Sequence, residues 1–152
     1  MVCLMTESGA APIEILLVED DPGDVLITRE AFAEHKLRNR LSVLADGVEA
    51  LAYLRGEGRY VDRALPDLIL LDLNLPRMDG RRLLEILRAD PTLARIPVVV
   101  LTASPAEEDF LRGFRLGVDA YVDKPVDFAR LVEVVQRIDA FYLSVDRVPS
   151  RR

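Results

Sequence analysis

The sequence predicts a doubly wound α/β domain, a parallel sheet of five strands with helices on both faces. Three observations predict it. Short apolar runs rich in Ile, Leu and Val alternate five times with segments of helical spacing. The strongest runs lack the polar alternation of a one-sided sheet, so they read as strands covered on both faces. The five units consume the 152 residues, with no repeat, linker or low-complexity stretch between them. The expected division is a flexible tail over residues 1–12, one domain over 13–143 and a short polar tail over 144–152.

Ile13 to Glu19 is the first strand, and Glu19-Asp20-Asp21-Pro22 ends it. Asp21 reads as an N-cap with Pro22 at the first helical position, and Asp24 suits the positive end of the helix. Val25, Leu26, Ala31 and Phe32 give that helix an apolar face. It reaches about His35, whose imidazole complements the helix C-terminus. Leu41 to Ala45 is a weaker strand. Asp46-Gly47-Val48-Glu49 is a capping box with Asp in place of Ser. Its helix runs through Ala50, Leu51 and Leu54 to the break at Gly56–Gly58. A loop through Tyr60, Arg63 and Pro66 leads to the third strand, Leu68 to Leu71, which ends at Asp72. The segment from Leu73 to Gly80 precedes a helix that Asp90-Pro91 stops near Ala89. Ile96 to Leu101 is the fourth strand, with Pro97 near its start, where proline is tolerated. Ser104-Pro105-Ala106-Glu107 is a second capping box, and Gly117 is expected to end its helix. Val118 to Val122 is the fifth strand, ending at Asp123-Lys124-Pro125. A last amphipathic helix carries Leu131, Val134, Val135 and Ile138 to about Leu143.

Composition narrows the function. Acids outnumber bases 26 to 20, for a net charge of −6. A nucleic-acid binder needs a basic face, so nucleic acid is not an expected partner. No apolar run approaches the roughly 18 residues that a bilayer span requires, so no membrane contact is expected. Cys3 stands alone, which excludes an internal disulfide and a cysteine zinc site. Met1 to Pro12 carries no Lys or Arg and no long apolar block, unlike a secretory signal, and either Met1 or Met5 would serve as the start. A cytoplasmic location is expected.

Ligands of open parallel sheets bind beyond the carboxyl ends of the strands, where strand order reverses. The first strand ends in Glu19 and Asp20, the third in Asp72, the fourth in Thr102 and the fifth in Lys124. The second offers only Asp46, already used as a cap. If the order is 2-1-3-4-5, the four equipped strands are contiguous and their ends share one patch. Carboxylates so placed repel one another and call for a cation. Oxygen ligands with no His or Cys nearby suit Mg²⁺ rather than Zn²⁺, and Mg²⁺ held this way recruits phosphate. Lys124 offers a phosphoryl group a point charge, and Thr102 offers it a hydroxyl donor. A carboxylate beside the metal can also act as nucleophile and become an aspartyl phosphate. Asp72, central in that order, is the candidate.

Four segments carry a family resemblance. They are Ile15-Leu16-Leu17-Val18-Glu19-Asp20-Asp21, Pro66 to Pro76 with Met78-Asp79-Gly80, Leu101-Thr102-Ala103, and Tyr121 with Lys124-Pro125. Over residues 13–142 the chain resembles the receiver domain of two-component response regulators. The resemblance implies a flavodoxin-like (βα)5 fold with strand order 2-1-3-4-5. It implies that Asp72 accepts a phosphoryl group from a phosphohistidine on a sensor histidine kinase. Asp20 would ligate Mg²⁺ directly beside Asp72, Glu19 would hold it through water, and Asn74 would give its backbone carbonyl. Lys124 would pair with Asp72 and then with the phosphate. Thr102 would swing towards the phosphoryl oxygen, and Tyr121 would follow as a rotating switch. The Lys124-Pro125 bond would be cis. Val126, where many receivers carry Phe, is a departure that touches local packing.

A narrower likeness is carried by Tyr53-Leu54-Arg55-Gly56-Glu57-Gly58-Arg59-Tyr60, Asn74-Leu75-Pro76-Arg77 and Phe141-Tyr142-Leu143. These resemble the single-domain regulators paired with bacterial phytochromes, which implies a bacteriophytochrome as the kinase. With no output domain, the signal would leave by protein contact, on the face of the fourth helix, fifth strand and last helix. Phe141, Tyr142 and Leu143 read equally as packing on the sheet and as the seam of a homodimer. Tyr121 reads nearly as well as an ordinary half-buried strand aromatic. Asp21 reads as a cap in preference to a ligand.

Three other functions compete. A Mg²⁺-dependent phosphatase of the haloacid dehalogenase class has its nucleophile after the first strand and an Asp where Asn74 stands. A flavin carrier would offer hydroxyls and glycine amides where Glu19-Asp20-Asp21 stand. A receiver scaffold independent of phosphate is the third. No enzymatic activity is expected beyond weak self-dephosphorylation.

Overall fold

The computed structural model describes residues 12–34, 39–102, 104–124, 129–131, 133, 134 and 137. Its strands are β1 (Ile13–Val18), β2 (Asn39–Leu44), β3 (Leu68–Asp72), β4 (Val98–Thr102) and β5 (Ala120–Asp123). Its helices are α1 (Pro22–Glu34), α2 (Gly47–Arg55), α3 (Gly80–Ala89) and α4 (Pro105–Arg112), and a 3₁₀ turn, Gly58–Tyr60, follows α2. The strands form one sheet in the order β2-β1-β3-β4-β5, and every pairing is parallel. This is the expected fold. Cys3, His35, Pro125, Val126, Val135, Ile138 and Phe141 to Leu143 lie outside the described residues.

Alternation along the strands divides the core in two. Ile15, Leu17, Leu70, Val99 and Leu101 pack on one face with Phe32 of α1 and with Leu131 and Val134. Leu16, Val18, Ile69, Leu71, Val98 and Val100 pack on the other with Leu54 of α2, Leu83, Leu84 and Leu87 of α3, and Leu111 of α4. Every residue of β3 and β4 is buried. Both faces are covered, so these strands read as continuous apolar runs. Each buried Leu, Ile or Val contributes roughly 1.5–3 kcal/mol relative to exposure.

The cap signals form as N-caps. Asp46 Oδ1 accepts from the Glu49 amide at 2.7 Å, Asp79 Oδ1 from Arg82 at 2.8 Å and Ser104 Oγ from Glu107 at 3.3 Å. The Glu49 carboxylate turns outward and accepts from the Tyr60 hydroxyl at 2.6 Å. That contact ties α2 to the 3₁₀ turn. Gly56 ends α2 with φ 67°, where a side chain would be strained. Arg63 completes the cap, donating to Tyr53 O at 2.9 Å and Leu54 O at 2.8 Å. Asp79→Ala removes a cap of α3 and should cost about 1 kcal/mol. In urea the unfolding midpoint should fall with an unchanged slope.

Several boundaries differ from expectation. β2 begins at Asn39, ahead of Leu41. β4 begins at Val98, because Pro97 has no N–H for the ladder and Ile96 is held in a turn through Leu93 O. β5 is Ala120–Asp123, set by the register that pairs Val99 with Ala120. The helix expected to reach Gly117 stops at Arg112, with Gly113 as its cap. Beyond it the chain turns back through Arg115 at φ 53° and Gly117 at φ 70°. Arg88, at the end of α3, donates to Leu116 O at 2.7 Å and Gly117 O at 2.8 Å. The same side chain donates to Ala94 O at 2.7 Å and Ile96 O at 3.1 Å. One guanidinium thus fixes the segment before β4 and the segment before β5.

Candidate phosphoacceptor site

The carboxyl ends of β1, β3, β4 and β5 meet at one place. Val18 pairs with Leu71, Asp72 with Leu101 and Thr102 with Asp123, so the register carries Glu19, Asp72, Thr102 and Lys124 to the same end of the sheet. Carboxylate oxygens of Glu19, Asp20 and Asp72 all lie within 4.8 Å of one another. Glu19 and Asp72 are buried, while Asp20 is exposed.

Lys124 reaches into this group from the end of β5, its own amide donating to Thr102 O at 2.6 Å. Its Nζ lies 3.0 Å from Glu19 Oε1, 3.1 Å from Asp24 Oδ2 and 3.1 Å from Asp72 Oδ2. Glu19 Oε2 accepts from Lys124 Nζ at 3.2 Å and from the Asp21 amide at 3.2 Å. Glu19 Oε1 is buried with no hydrogen bond of its own, although it lies in the ion pair with the ammonium. Burial pushes the Glu19 carboxyl up to about 7; the Lys124 hydrogen bond pulls it down and the Asp72 charge pushes it up further. Burial alone would lower the Lys124 ammonium, but its bonds to Glu19, Asp24 and Asp72 hold it above the usual lysine range.

The other predicted residues have partners of their own. The Asn74 amide donates to Asp72 Oδ1 at 3.3 Å, and its side chain donates to Glu107 Oε2 at 3.0 Å. Thr102 is fully buried and its hydroxyl donates to Asp123 Oδ1 at 3.2 Å. Tyr121 is half-buried, with the Arg112 guanidinium 4.4 Å from its ring centroid. Asp21 accepts from the Gly23 amide at 3.1 Å, the geometry of a cap.

Two glycines hold the segment from Leu73 to Gly80 against this site. The Gly80 amide donates to Leu73 O at 2.9 Å, and a Cβ on Gly80 would stand 2.6 Å from Asp72 O. A Cβ on Gly47 would stand 2.2 Å from Met78 O. Between them Arg77 adopts φ 67°, unfavourable for a side chain, and pairs with Asp46 at 3.3 Å and Glu49 at 3.7 Å. Neither glycine's packing role nor the Asp24–Lys124 pair is among the expectations from sequence. An Asp one helical turn beyond the strand-end acids was the available signal for the latter.

The donors fit a divalent cation. They are all oxygens, they carry excess negative charge, and one buried oxygen lacks a partner. The profile of the response regulator receiver domain matches residues 15–136. The chain belongs to the response regulator receiver family. It is 39% identical over 146 residues to response regulator Rcp1 of Synechocystis sp., covering 96% of this chain and 99% of Rcp1. The Mn²⁺-bound structure of Rcp1 matches with a TM-score of 0.74 at 40% identity, over 91% of this chain and 99% of that one. The phosphorylated cyanobacterial phytochrome response regulator RcpA matches at 0.75 and 44% identity, over 92% and 100%. The bacteriophytochrome response regulator RtBRR matches at 0.79 and 42%, over 84% and 78%. The receiver fold and its place in two-component signalling are therefore those of this chain. Among the described residues no helix is long and apolar enough to cross a membrane.

Proposed function

We infer that Asp72 accepts a phosphoryl group from a sensor histidine kinase of the bacterial phytochrome class, and that the chain passes the signal on through protein contacts. The observation that carries this reading is the Lys124 ammonium 3.1 Å from Asp72, beside the Glu19 and Asp20 carboxylates. The similarity to RcpA and RtBRR supports the phytochrome class of kinase. Asp20, Asp72 and the Asn74 carbonyl would hold Mg²⁺ directly, with Glu19 acting through water. When bound, Mg²⁺ offsets charge on the transferring phosphoryl oxygens.

An Asp72 carboxylate oxygen attacks the phosphorus of the phosphohistidine. The new P–O bond forms as the P–N bond breaks, and the imidazole nitrogen keeps the electron pair. Lys124 then donates to a phosphoryl oxygen. Thr102 turns from Asp123 to donate to another, and Tyr121 moves into the space so vacated. These contacts exist only with the phosphoryl group present, so they favour one of two conformations. Water attack on the same phosphorus gives weak self-dephosphorylation. In this reading the chain works in the cytoplasm as a homodimer, with the apolar Phe141, Tyr142 and Leu143 of the sequence as the candidate seam.

The test is intact mass after incubation with acetyl phosphate and Mg²⁺. We expect the gain of one phosphoryl group, lost with chelator and lost in Asp72→Asn. No gain from acetyl phosphate or from a phosphorylated bacteriophytochrome kinase, with cation binding confirmed, would overturn the reading.

A further inference from the structure

Lys124 has three N–H bonds to give, and three carboxylates surround it. Its Nζ stands 3.0 Å from Glu19, 3.1 Å from Asp24 and 3.1 Å from Asp72. A phosphoryl group on Asp72 adds charge and acceptor oxygens, so it must draw the ammonium towards itself. The three carboxylates differ in that competition. Glu19 is buried at the end of β1, and Asp72 is the acceptor. Asp24 comes from the first turn of α1, and that turn is anchored. The Thr28 hydroxyl, fully buried, donates to Asp24 O at 2.9 Å. Ala31 and Phe32 of the same helix pack in the core. The backbone that carries Asp24 is therefore held in place when the lysine is drawn away. Its carboxylate and that of Asp72 share one nitrogen, which puts the bonded oxygens within about 6 Å, close enough for like charges to disfavour one another.

We propose that Asp24 is a positioning residue that holds Lys124 back from Asp72 and so weakens the grip of the lysine on a phosphoryl group there. This rests on the phosphoacceptor reading of Asp72. Asp24 touches neither the phosphorus nor the attacking oxygen; it acts through the lysine. Its side chain sets how much of the ammonium is available once Asp72 is modified.

The test titrates beryllium trifluoride, which forms a Be–O bond to a carboxylate and stands in for the phosphoryl group. It is carried out at saturating Mg²⁺ and followed by fluorine NMR. The proteins are the wild type, Asp24→Asn, Lys124→Met and the double variant. Asparagine keeps the shape of Asp24 and removes its charge. Asp24→Asn should bind the trifluoride roughly three- to tenfold more tightly, the effect of returning one hydrogen bond of the ammonium to the ligand. Its affinity for Mg²⁺ alone, by calorimetry, should not rise. In the Lys124→Met background the same substitution should change trifluoride affinity by less than about twofold, because the lysine carries the coupling. Unchanged or weaker binding by Asp24→Asn, repeated in Asp24→Ser, would overturn the proposal. So would the same tightening in the absence of Lys124. A wild-type protein that binds Mg²⁺ but no trifluoride would instead overturn the Asp72 reading, and this inference with it.

Discussion

Lys124→Met is expected to lower the thermal midpoint in chelator by roughly 6–12 °C, and Mg²⁺ is expected to restore most of the loss. Removing one partner of a buried ion pair costs about 3 kcal/mol or more, because the other charge is left buried and uncompensated. For a chain of this size each kcal/mol moves the midpoint by roughly 2–4 °C. Methionine keeps the packing of the stem, so the change reports the ammonium. The Lys124 side chain is 17% exposed and that of Glu19 is 0%, so water replaces little of the lost contact. The pH dependence follows from Glu19. A carboxyl whose folded-state pKa is raised favours the folded state while protonated, so stability falls as pH climbs from 4.5 through about 7. Without the ammonium that window extends upward. The chelated variant should therefore unfold more readily at pH 8 than at pH 6. An unchanged midpoint at pH 8 in chelator would show that Lys124 does not compensate these carboxylates.

Gly47→Ala should destabilise by roughly 2 kcal/mol or more, although helix propensity taken alone favours alanine. Gly47 opens α2, and its backbone is outside the left-handed region. What forbids the methyl group is Met78, whose carbonyl oxygen would stand 2.2 Å from the new Cβ. That oxygen belongs to backbone held on both sides. The Gly47 amide donates to Pro76 O at 3.4 Å, and the Gly80 amide donates to Leu73 O at 2.9 Å. Relief requires the segment after Asp72 to move, carrying Asn74 with it. Urea unfolding and the rate of phosphorylation by acetyl phosphate should both deteriorate. Stability equal to or above the wild type would mean that the segment yields freely.

The parts of this molecule legible in the sequence are those governed by local pattern. Strand runs such as Leu68 to Leu71 and Val98 to Leu101 are apolar because both faces are covered, and that signal needs no knowledge of partners. The strand-end residues Glu19, Asp72, Thr102 and Lys124 were readable because parallel topology converts chain position into spatial position. Features made by distant partners were not readable. Asp24 looked like a helix-end charge, since its lysine lies far along the chain. Glu49 looked like half of a capping box, yet its carboxylate turns to Tyr60. Gly117 looked like the end of α4, whereas its left-handed turn serves a segment held by Arg88 from α3. Gly47 and Gly80 looked like helix starts, and only the fold shows the backbone each one touches.

The strand order also sets where the site is stiff. β1 and β3, which deliver Glu19 and Asp72, each have a hydrogen-bonded strand on both sides, whereas β5, which delivers Lys124, has one. Opening a central strand approaches the cost of global unfolding, while an edge opens more cheaply. The carboxylates are thus the fixed jaw of a vice and the lysine rides on the moving one. Tyr121 stands on that compliant jaw. A load applied at Asp72 is therefore expected to be taken up along the β5 edge of the sheet, leaving the acidic jaw in register.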